Sequence, residues 1–270
     1  MNVIEALYKE IDNIKKDYAS GSTEIATKAL DIVTAAIDLE LHGNDYFPQS
    51  IASMLQKAKP TMTAVEVICN YAVDDYKKVF VKGKKYFCVE VRNKMQRAGE
   101  KTIINAYNKL FTANNKTTFN ISTCTYSSNI IKLLRLADKN KIEINLFAVQ
   151  SVWNNFDYSE QLVDSLSDTN INSSIISYKE FKQLQPNIDF CLIGADGYDK
   201  THNVVNGVPT KLLAETAYPD NKLYVVAESF KMVENLRTGD GFELIPARFV
   251  SEILTDDEVW HNEYKKQFVD

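Results

Sequence analysis

The second half of the chain alternates short apolar segments with amphipathic ones, and this alternation constrains the fold more than any other feature. Five of the segments resemble β-strands, at residues 117–122, 143–149, 172–178, 188–194 and 222–228. Apolar residues at helical spacing mark the segments between them, at residues 130–140, 158–168, 179–185 and 212–217. The strands are too continuously apolar for one face to meet water, which is typical of a parallel sheet covered by helices. We therefore predict a Rossmann-like α/β domain with a mainly parallel sheet.

The N-terminal part of the chain has a different residue pattern, in which apolar residues recur at helical spacing over long stretches and β-branched runs are few. A break at Gly21 separates its first two helices, and Pro48 and Pro60 each suit the first turn of a further helix. We expect an N-terminal helical domain over residues 1–115, followed by the Rossmann-like domain over residues 116–270.

The composition excludes several classes of protein. The chain has 270 residues, with 31 Lys and Arg against 36 Asp and Glu, so its formal net charge is −5. An acidic chain without a Lys/Arg run is a poor binder of nucleic acid or of membrane surfaces. Its apolar runs fall short of the roughly 20 residues that cross a bilayer, and its acidic first segment is unlike a signal peptide. We expect a cytoplasmic protein that contacts neither nucleic acid nor membrane.

Cysteine and histidine spacing argues against a metal centre and against a disulfide framework. The four cysteines form no CxxC and the three histidines are isolated. The cysteines are Cys69, Cys88, Cys124 and Cys191. Buried or half-buried thiols are expected, and no metal site. Neither GxGxxG nor the P-loop pattern occurs, so we expect no cofactor.

Four loops follow apolar strands, at residues 123–128, 150–158, 194–199 and 228–231. In open α/β sheets ligands bind outside the carboxyl ends of the strands. We expect these loops to meet around a ligand.

The most unusual of these positions is Asp196, a carboxylate between Gly194 and Gly197 at the end of an apolar strand. Burial there would raise its pKa and suit it to general acid/base work. The alternative is an aspartate that caps the next turn. The position at the ligand edge of the sheet favours the functional interpretation.

Hydroxyl groups dominate the loop after the first strand, which carries Thr123, Thr125 and Ser127 just before a helix. Amide groups at a helix N-terminus attract anions, so phosphate binding is a reasonable role. Simple helix capping by Ser127 or Ser128 is the more common use of such residues.

Two further segments carry polar groups at strand ends. Asn206 precedes a helix and is suited either to binding a sugar hydroxyl or phosphate or to forming a turn. Glu228 and Lys231 lie at the end of the strand at residues 222–228, where a buried pair is as often structural as catalytic.

Six motifs in this order resemble a known superfamily: SGSTEIATKAL (20–30), AKPTMTAV (58–65), STCTYSS (122–128), GAD (194–196), VVN (204–206) and YVVAESFK (224–231). That superfamily contains the alpha, beta and delta regulatory subunits of translation initiation factor 2B. It also contains aldose-phosphate isomerases that act on methylthioribose 1-phosphate and ribose 1,5-bisphosphate. The resemblance covers most of the chain.

The resemblance implies a helical N-terminal domain, a Rossmann-like C-terminal domain and a homodimer formed through the latter. It also implies a phosphorylated sugar or nucleotide as ligand and a translation factor as a candidate partner. In the isomerases, a cysteine and the aspartate of GAD carry out catalysis. Asp196 matches the aspartate.

The resemblance leaves the register of the cysteine loop open. Aligning on Tyr126 and Ser127 puts Thr125 at the catalytic position, whereas a shift by one residue would restore Cys124. Besides Asp196 and Cys124 as catalytic candidates, the resemblance and the strand-end rule together select a set of ligand-binding candidates. These are Gly21, Ser22, Thr123, Thr125, Ser127, Asn206 and Lys231.

Three cations that the isomerases use are missing. Ser20 stands where they have an arginine, residues 149–155 contain no arginine, and Gly207 replaces a lysine. Each loss removes a charge-assisted contact to phosphate. The departures favour a non-catalytic protein similar to the regulatory subunits, which binds a phosphorylated small molecule or a protein partner. An aldose-phosphate isomerase that uses Asp196 is the alternative.

A third hypothesis is an interaction protein with a vestigial pocket. Trp153 and Phe156 would then contact a partner, since exposed aromatic residues suit interfaces. Covering the edge of the core is the more common role for such rings, and the sequence favours it.

Overall fold

The structure of the chain is a computed structural model that describes residues 2–41, 43, 47–78, 84–112 and 116–257. The sequence also predicts a helix break around residue 83, which lies outside the described residues.

Helices form the N-terminal part of the described chain, as predicted. They are α1 (Val3–Lys16), α2 (Ser22–Leu41), α3 (Pro48–Ala58), α4 (Thr63–Lys78) and α5 (Lys84–Tyr107), with a π-helical turn at Asn108–Thr112. A capping box starts α1, because Asn2 accepts from the Ile4 amide while Glu5 accepts from the Asn2 amide. The apolar faces of the five helices pack into one core cluster.

The two prolines behave differently. Pro48 is the first residue of α3, where its fixed φ and missing amide hydrogen cost nothing. Pro60 lies outside any helix, so the prediction for it is wrong. Residues 59–62 instead form a turn, in which the Met62 amide donates to the Lys59 carbonyl at 3.2 Å.

In the described part of the chain, eleven strands and four more α-helices follow. The strands are β1 (Thr118–Cys124), β2 (Glu143–Val149), β3 (Val152–Trp153), β4 (Phe156–Asp157), β5 (Asn172–Ile176), β6 (Phe190–Ile193), β7 (Gly197–Tyr198), β8 (Val204–Gly207), β9 (Lys222–Val226), β10 (Phe242–Ile245) and β11 (Glu252–Leu254). The helices are α6 (Ser128–Lys139), α7 (Tyr158–Asp164), α8 (Tyr178–Leu184) and α9 (Thr210–Ala217).

Six of the strands form the parallel sheet that the sequence predicts, in the order β11-β9-β6-β1-β2-β5. Ile121 at the centre of β1 is in register with Leu146 of β2 and Phe190 of β6. Separate apolar clusters cover the two faces of the sheet, which explains why its strands are apolar throughout. The carboxyl ends of β1, β2, β6 and β9 therefore lie along one edge.

Two small antiparallel elements do not emerge from the sequence. β3 and β4 form a hairpin, and β7, β8 and β10 form a three-stranded sheet. Strands of two to four residues are too short to show an alternating pattern. The hairpin turn carries Asn154 and Asn155 at φ 52° and 66°, the left-handed conformation that a two-residue hairpin loop requires.

The helical part packs directly on the sheet edge through Thr63 at the start of α4. Its hydroxyl lies 2.8 Å from the carbonyl oxygen of Asp196 and 3.0 Å from that of Lys231. Gly197 permits this approach, because a Cβ there would lie 2.5 Å from the Thr63 methyl carbon. The division of the chain at residue 115 stays a prediction.

Candidate functional site

A cavity of about 360 Å³ opens at the carboxyl ends of the parallel strands. All four loops predicted from the strand ends contribute to its walls, and the N-terminal helices supply the opposite side through residues 15–22 and 57–62. This volume is in the range that small-molecule sites occupy.

Cys124 does not line the cavity, although it is a catalytic candidate on sequence grounds. It is the last residue of β1, and its thiol lies in the core 3.3 Å from the Thr210 hydroxyl of α9. Its side chain belongs to the apolar cluster that covers one face of the sheet. Burial raises the pKa of the Cys124 thiol to about 12, so that the reactive thiolate is scarce at neutral pH. Thr123 is buried as well and also lies outside the cavity lining.

Thr125 takes the position in the loop that faces the cavity. Its φ is 66°, an unusual conformation for a β-branched residue and one that marks a constrained turn. The Asn206 side-chain amide donates to the Thr125 hydroxyl at 3.4 Å and to that of Thr210 at 3.1 Å. Thr125 and Asn206 therefore form one wall of the cavity.

This arrangement predicts different reactivity for thiols at neighbouring positions. In a Cys88→Ser background, Thr125→Cys should react with iodoacetamide about 10-fold faster than Thr123→Cys or more, because residue 125 lines the cavity whereas residue 123 is buried outside the cavity lining. Cys69 and Cys124, whose pKa burial raises to about 12, should stay unmodified in both proteins. Equal labelling of the two engineered thiols would contradict this register.

Asp196 lies in the cavity with only 8% of its surface exposed. Its amide donates to the Val205 carbonyl at 2.8 Å, and Thr63 holds its carbonyl oxygen. Burial raises the pKa of the Asp196 carboxyl to about 6, although Lys231, a hydrogen bond from Ser22 and Lys59 act in the opposite direction. The carboxyl group can therefore gain or lose a proton close to neutral pH.

Two buried lysines line the same cavity. Lys231 lies 3.1 Å from Glu228, and both side chains are almost fully enclosed. Lys59 donates to the Asp17 carbonyl at 2.6 Å and lies 4.8 Å from the centre of the Tyr18 ring. The pKa of Lys59 lies below its ordinary value, because the effect of burial outweighs the opposite effect of Asp17 and Asp196.

Lys59 lines the cavity but is not among the candidates selected from the sequence. The signal was present, since it precedes Pro60 at the place where the family has the arginine of its Arg-Pro-Thr segment. Trp153 and Tyr158, which also line the cavity, were likewise not assigned to a ligand site.

Ser127 caps a helix and also lines the cavity. It is the N-cap of α6, where its hydroxyl accepts from the Ile130 amide at 3.5 Å, and it lines the cavity. Gly194 makes room for it, because a Cβ there would lie 2.5 Å from the Ser127 oxygen. On the helical side, the Ser22 hydroxyl donates to the Ala195 carbonyl at 3.4 Å.

The structure thus brings together seven of the nine candidate residues around one cavity. These are Asp196, Gly21, Ser22, Thr125, Ser127, Asn206 and Lys231. Their roles in binding or catalysis stay predictions.

Two other features concern the described residues as a whole. Nowhere among them do three or more His, Cys, Asp or Glu side chains gather in a way that suits a metal ion. Among the same residues, none of the helices is both long enough and apolar enough to cross a membrane.

Solved initiation-factor structures share this fold. The translation initiation factor eIF-2B of Pyrococcus horikoshii OT3 aligns with a TM-score of 0.78 at 18% identity, over 93% of this chain and 95% of that one. The tetrameric eIF2B-beta2-delta2 complex from C. thermophilum aligns with a TM-score of 0.77 at 11% identity, over 94% of this chain and 90% of that one. The eIF2B delta from Chaetomium thermophilum aligns with a TM-score of 0.76 at 13% identity, over 94% of this chain and 98% of that one.

Sequence comparison defines the relationship further. No curated protein sequence matches the chain. The model of the Initiation factor 2 subunit family matches residues 19–259, a stretch that begins before α2 and includes the whole six-stranded sheet. The chain therefore belongs to the initiation factor 2 subunit family.

Proposed function

We propose that this protein is a non-catalytic binding module, similar to the regulatory subunits of initiation factor 2B, and that its cavity binds a phosphorylated small molecule. The observation that carries the proposal is the burial of Cys124 outside the cavity lining, with the neighbouring Thr125 in the lining. A threonine hydroxyl is a far weaker acid than a thiol and is a poor substitute for a catalytic cysteine.

The lining of the cavity supports an anionic ligand. The N-terminus of α6 faces it through Ser127 and Ser128, and unpaired amide groups at a helix start attract phosphate. Lys59 and Lys231 add two buried ammonium groups. The Thr125 hydroxyl and the Asn206 amide suit the hydroxyl groups of a sugar.

An aldose-phosphate isomerase is the second candidate, and Asp196 favours it. A buried carboxyl group with a pKa of about 6 is suited to moving a proton between two sugar carbons. Such an enzyme would have to work without the cysteine of its relatives.

Phosphorus NMR of the purified protein with ribose 1,5-bisphosphate and with methylthioribose 1-phosphate distinguishes the two candidates. The binding module should broaden or shift the ligand signals and leave both compounds unconverted. Conversion by the native chain but not by Asp196→Asn would instead establish the isomerase. An absence of both conversion and line broadening would contradict ligand binding in either form.

We further propose that the module works in the cytoplasm as a homodimer formed through its α/β domain and that it contacts a translation factor. Related structures support the idea of assembly, since one of them is a tetrameric beta2-delta2 complex. Light scattering on the purified chain should give twice its 30.7 kDa mass. A monomer across a wide concentration range would contradict the homodimer.

A further inference from the structure

The six-stranded sheet has two edge strands, β11 and β5, which differ in how they are protected. β11 carries Glu252, whose carboxylate lies 2.7 Å from the Lys109 ammonium. β5 has the sequence Asn-Ser-Ser-Ile-Ile, which contains neither a charged residue nor a proline. Charged side chains and prolines are common means by which a protein keeps an edge strand from pairing with another chain. β5 therefore lacks the protection that β11 has.

The backbone of β5 offers hydrogen-bonding groups on its outer side. The Gln150 amide donates to the Ile176 carbonyl at 2.9 Å, so the backbone groups of Ile176 are directed toward β2. This direction alternates along a strand, so Ser174 also bonds to β2, whereas Ser173 and Ile175 direct their amides and carbonyls outward. No backbone hydrogen bond joins the outward groups to any other segment that the structure describes.

The outer side of β5 is both open and well ordered. Ile175 is 42% exposed, and Ser174 is exposed as well. The Asn172 side chain donates to that of Asn145 at 3.1 Å, and Asn145 donates to Asn120 at 2.9 Å. This ladder of amides ties the edge strand to the centre of the sheet. An edge that is already ordered loses little conformational freedom when another strand pairs with it.

The outward groups of β5 are complementary to themselves about a two-fold axis at Ser174. When a second copy runs antiparallel along β5, Ser173 meets Ile175 of the second copy, and Ile175 meets Ser173 of the second copy. Both residues of each pair direct their amide and carbonyl toward the other, as an antiparallel hydrogen-bonded pair requires. The outward groups of the two strands are then all paired, and Ser174 lies opposite its own counterpart.

We propose that β5 is the contact surface between two copies of this chain, and that antiparallel pairing of β5 with β5 of the second copy joins the two six-stranded sheets into one. The two-fold match favours a second copy over a foreign strand, because such a contact uses the same surface on both chains and closes at two. This inference rests on the proposed homodimer through the α/β domain and names its interface.

A cysteine on the two-fold axis tests the pairing directly. Residues opposite each other in an antiparallel pair have Cβ atoms about 4.5–5.5 Å apart, so a small adjustment permits a disulfide. In a Cys88→Ser background, Ser174→Cys should form a covalent dimer on oxidation with diamide, seen as a doubled mass on a non-reducing gel. Ser251→Cys, the matched control, places an exposed thiol beside β11 at the opposite edge and should not cross-link. The native cysteines that the structure describes are buried.

A proline at residue 175 tests the backbone hydrogen bonds of the pairing. The Ile175 amide is directed outward, so Ile175→Pro removes no hydrogen bond to β2, and edge strands tolerate proline at such positions. Light scattering should show the mass falling from twice 30.7 kDa to 30.7 kDa, with an unchanged circular dichroism spectrum. Ile175→Val, which keeps the amide and the branched side chain, should remain a dimer. If the proline variant loses its native spectrum, the cross-linking result decides alone.

The outcomes separate this interface from the homodimer itself. A dimeric native chain whose Ser174→Cys variant does not cross-link, or whose folded Ile175→Pro variant stays dimeric, would overturn pairing through β5 and leave the homodimer intact. Cross-linking of Ser251→Cys as fast as that of Ser174→Cys would overturn it too, because the disulfides would then reflect random collisions. A monomeric native chain would overturn both the interface and the homodimer.

Discussion

Replacing Glu228 by alanine is expected to lower the free energy of unfolding by about 3–5 kcal/mol, because the Lys231 ammonium would remain buried without its carboxylate. The two groups lie 3.1 Å apart, and their side chains are only 1% and 5% exposed. Thr23 donates to one Glu228 oxygen at 3.0 Å and Asn129 to the other at 2.9 Å. The pair therefore joins α2, α6 and the loop after β9, and its loss affects both parts of the molecule.

The charged state of Glu228 explains why the effect should be large. Burial alone would raise the pKa of this carboxyl, but Lys231 and the hydrogen bond from Asn129 hold it below its usual value. A group with a lowered pKa stabilises the fold above its unfolded-state pKa, and this stabilisation is lost as the pH falls. The difference between the native chain and the variant should accordingly shrink in acid.

Urea unfolding at neutral pH measures the effect, with Glu24→Ala as the matched control. Glu24 also lies 2.9 Å from a lysine, Lys28, but both side chains are about half exposed. Exposed pairs of this kind contribute less than about 1 kcal/mol. If Glu228→Ala were no more destabilising than Glu24→Ala, the buried pair would not stabilise the junction.

The second large effect has the opposite sign. Asp196→Asn is expected to make the protein more stable at neutral pH, by up to roughly 3 kcal/mol. The carboxyl has a pKa of about 6 in the folded chain against 3.8 as its ordinary value, since burial disfavours its charged form. Between about pH 4 and about pH 6 the folded chain holds a proton that the unfolded chain has released, so the stability of the native protein falls as the pH rises.

Unfolding measured across this pH range tests the prediction. The advantage of Asp196→Asn should be full above about pH 6 and should disappear near pH 4. Asp199→Asn is the control with the opposite sign: burial tends to raise the pKa of Asp199, but hydrogen bonds from Asn203 and Thr201 lower it overall. That variant should be less stable than the native chain at neutral pH, and the deficit should vanish in acid. An Asp196→Asn variant that is less stable at neutral pH would contradict the prediction.

The buried carboxylates of Glu228 and Asp196 differ in their effect on the stability of the fold. The Glu228 carboxylate has a cation and two hydrogen-bond donors, so its charge supports the fold. The Asp196 carboxylate faces the cavity and destabilises the fold when it is ionised. A protein retains such an unfavourable charge where a ligand or a reaction needs it.

Local patterns in the sequence were sufficient to predict the N-terminal helices and the six-stranded parallel sheet. Apolar runs of four to seven residues alternate with segments of helical periodicity. Strands that are apolar on both faces predict a parallel sheet, because helices cover both faces of such a sheet. The same parallel arrangement brings all the carboxyl ends of the strands to one edge, so Asp196 could be assigned to the ligand side without coordinates.

The tertiary structure alone decided which side chains reach the ligand. Whether Cys124 or Thr125 lines the cavity depends on the residue at which β1 ends and on the left-handed φ of Thr125. The spacing of residues in the sequence predicts neither. Lys59 lies against the Tyr18 ring, and Trp153 packs on Gly241, where a side chain would clash with the indole. Both contacts join segments that are distant in the chain. Periodicity records how a residue relates to its neighbours in sequence, whereas a binding site is formed by contacts between segments that only the folded chain brings together.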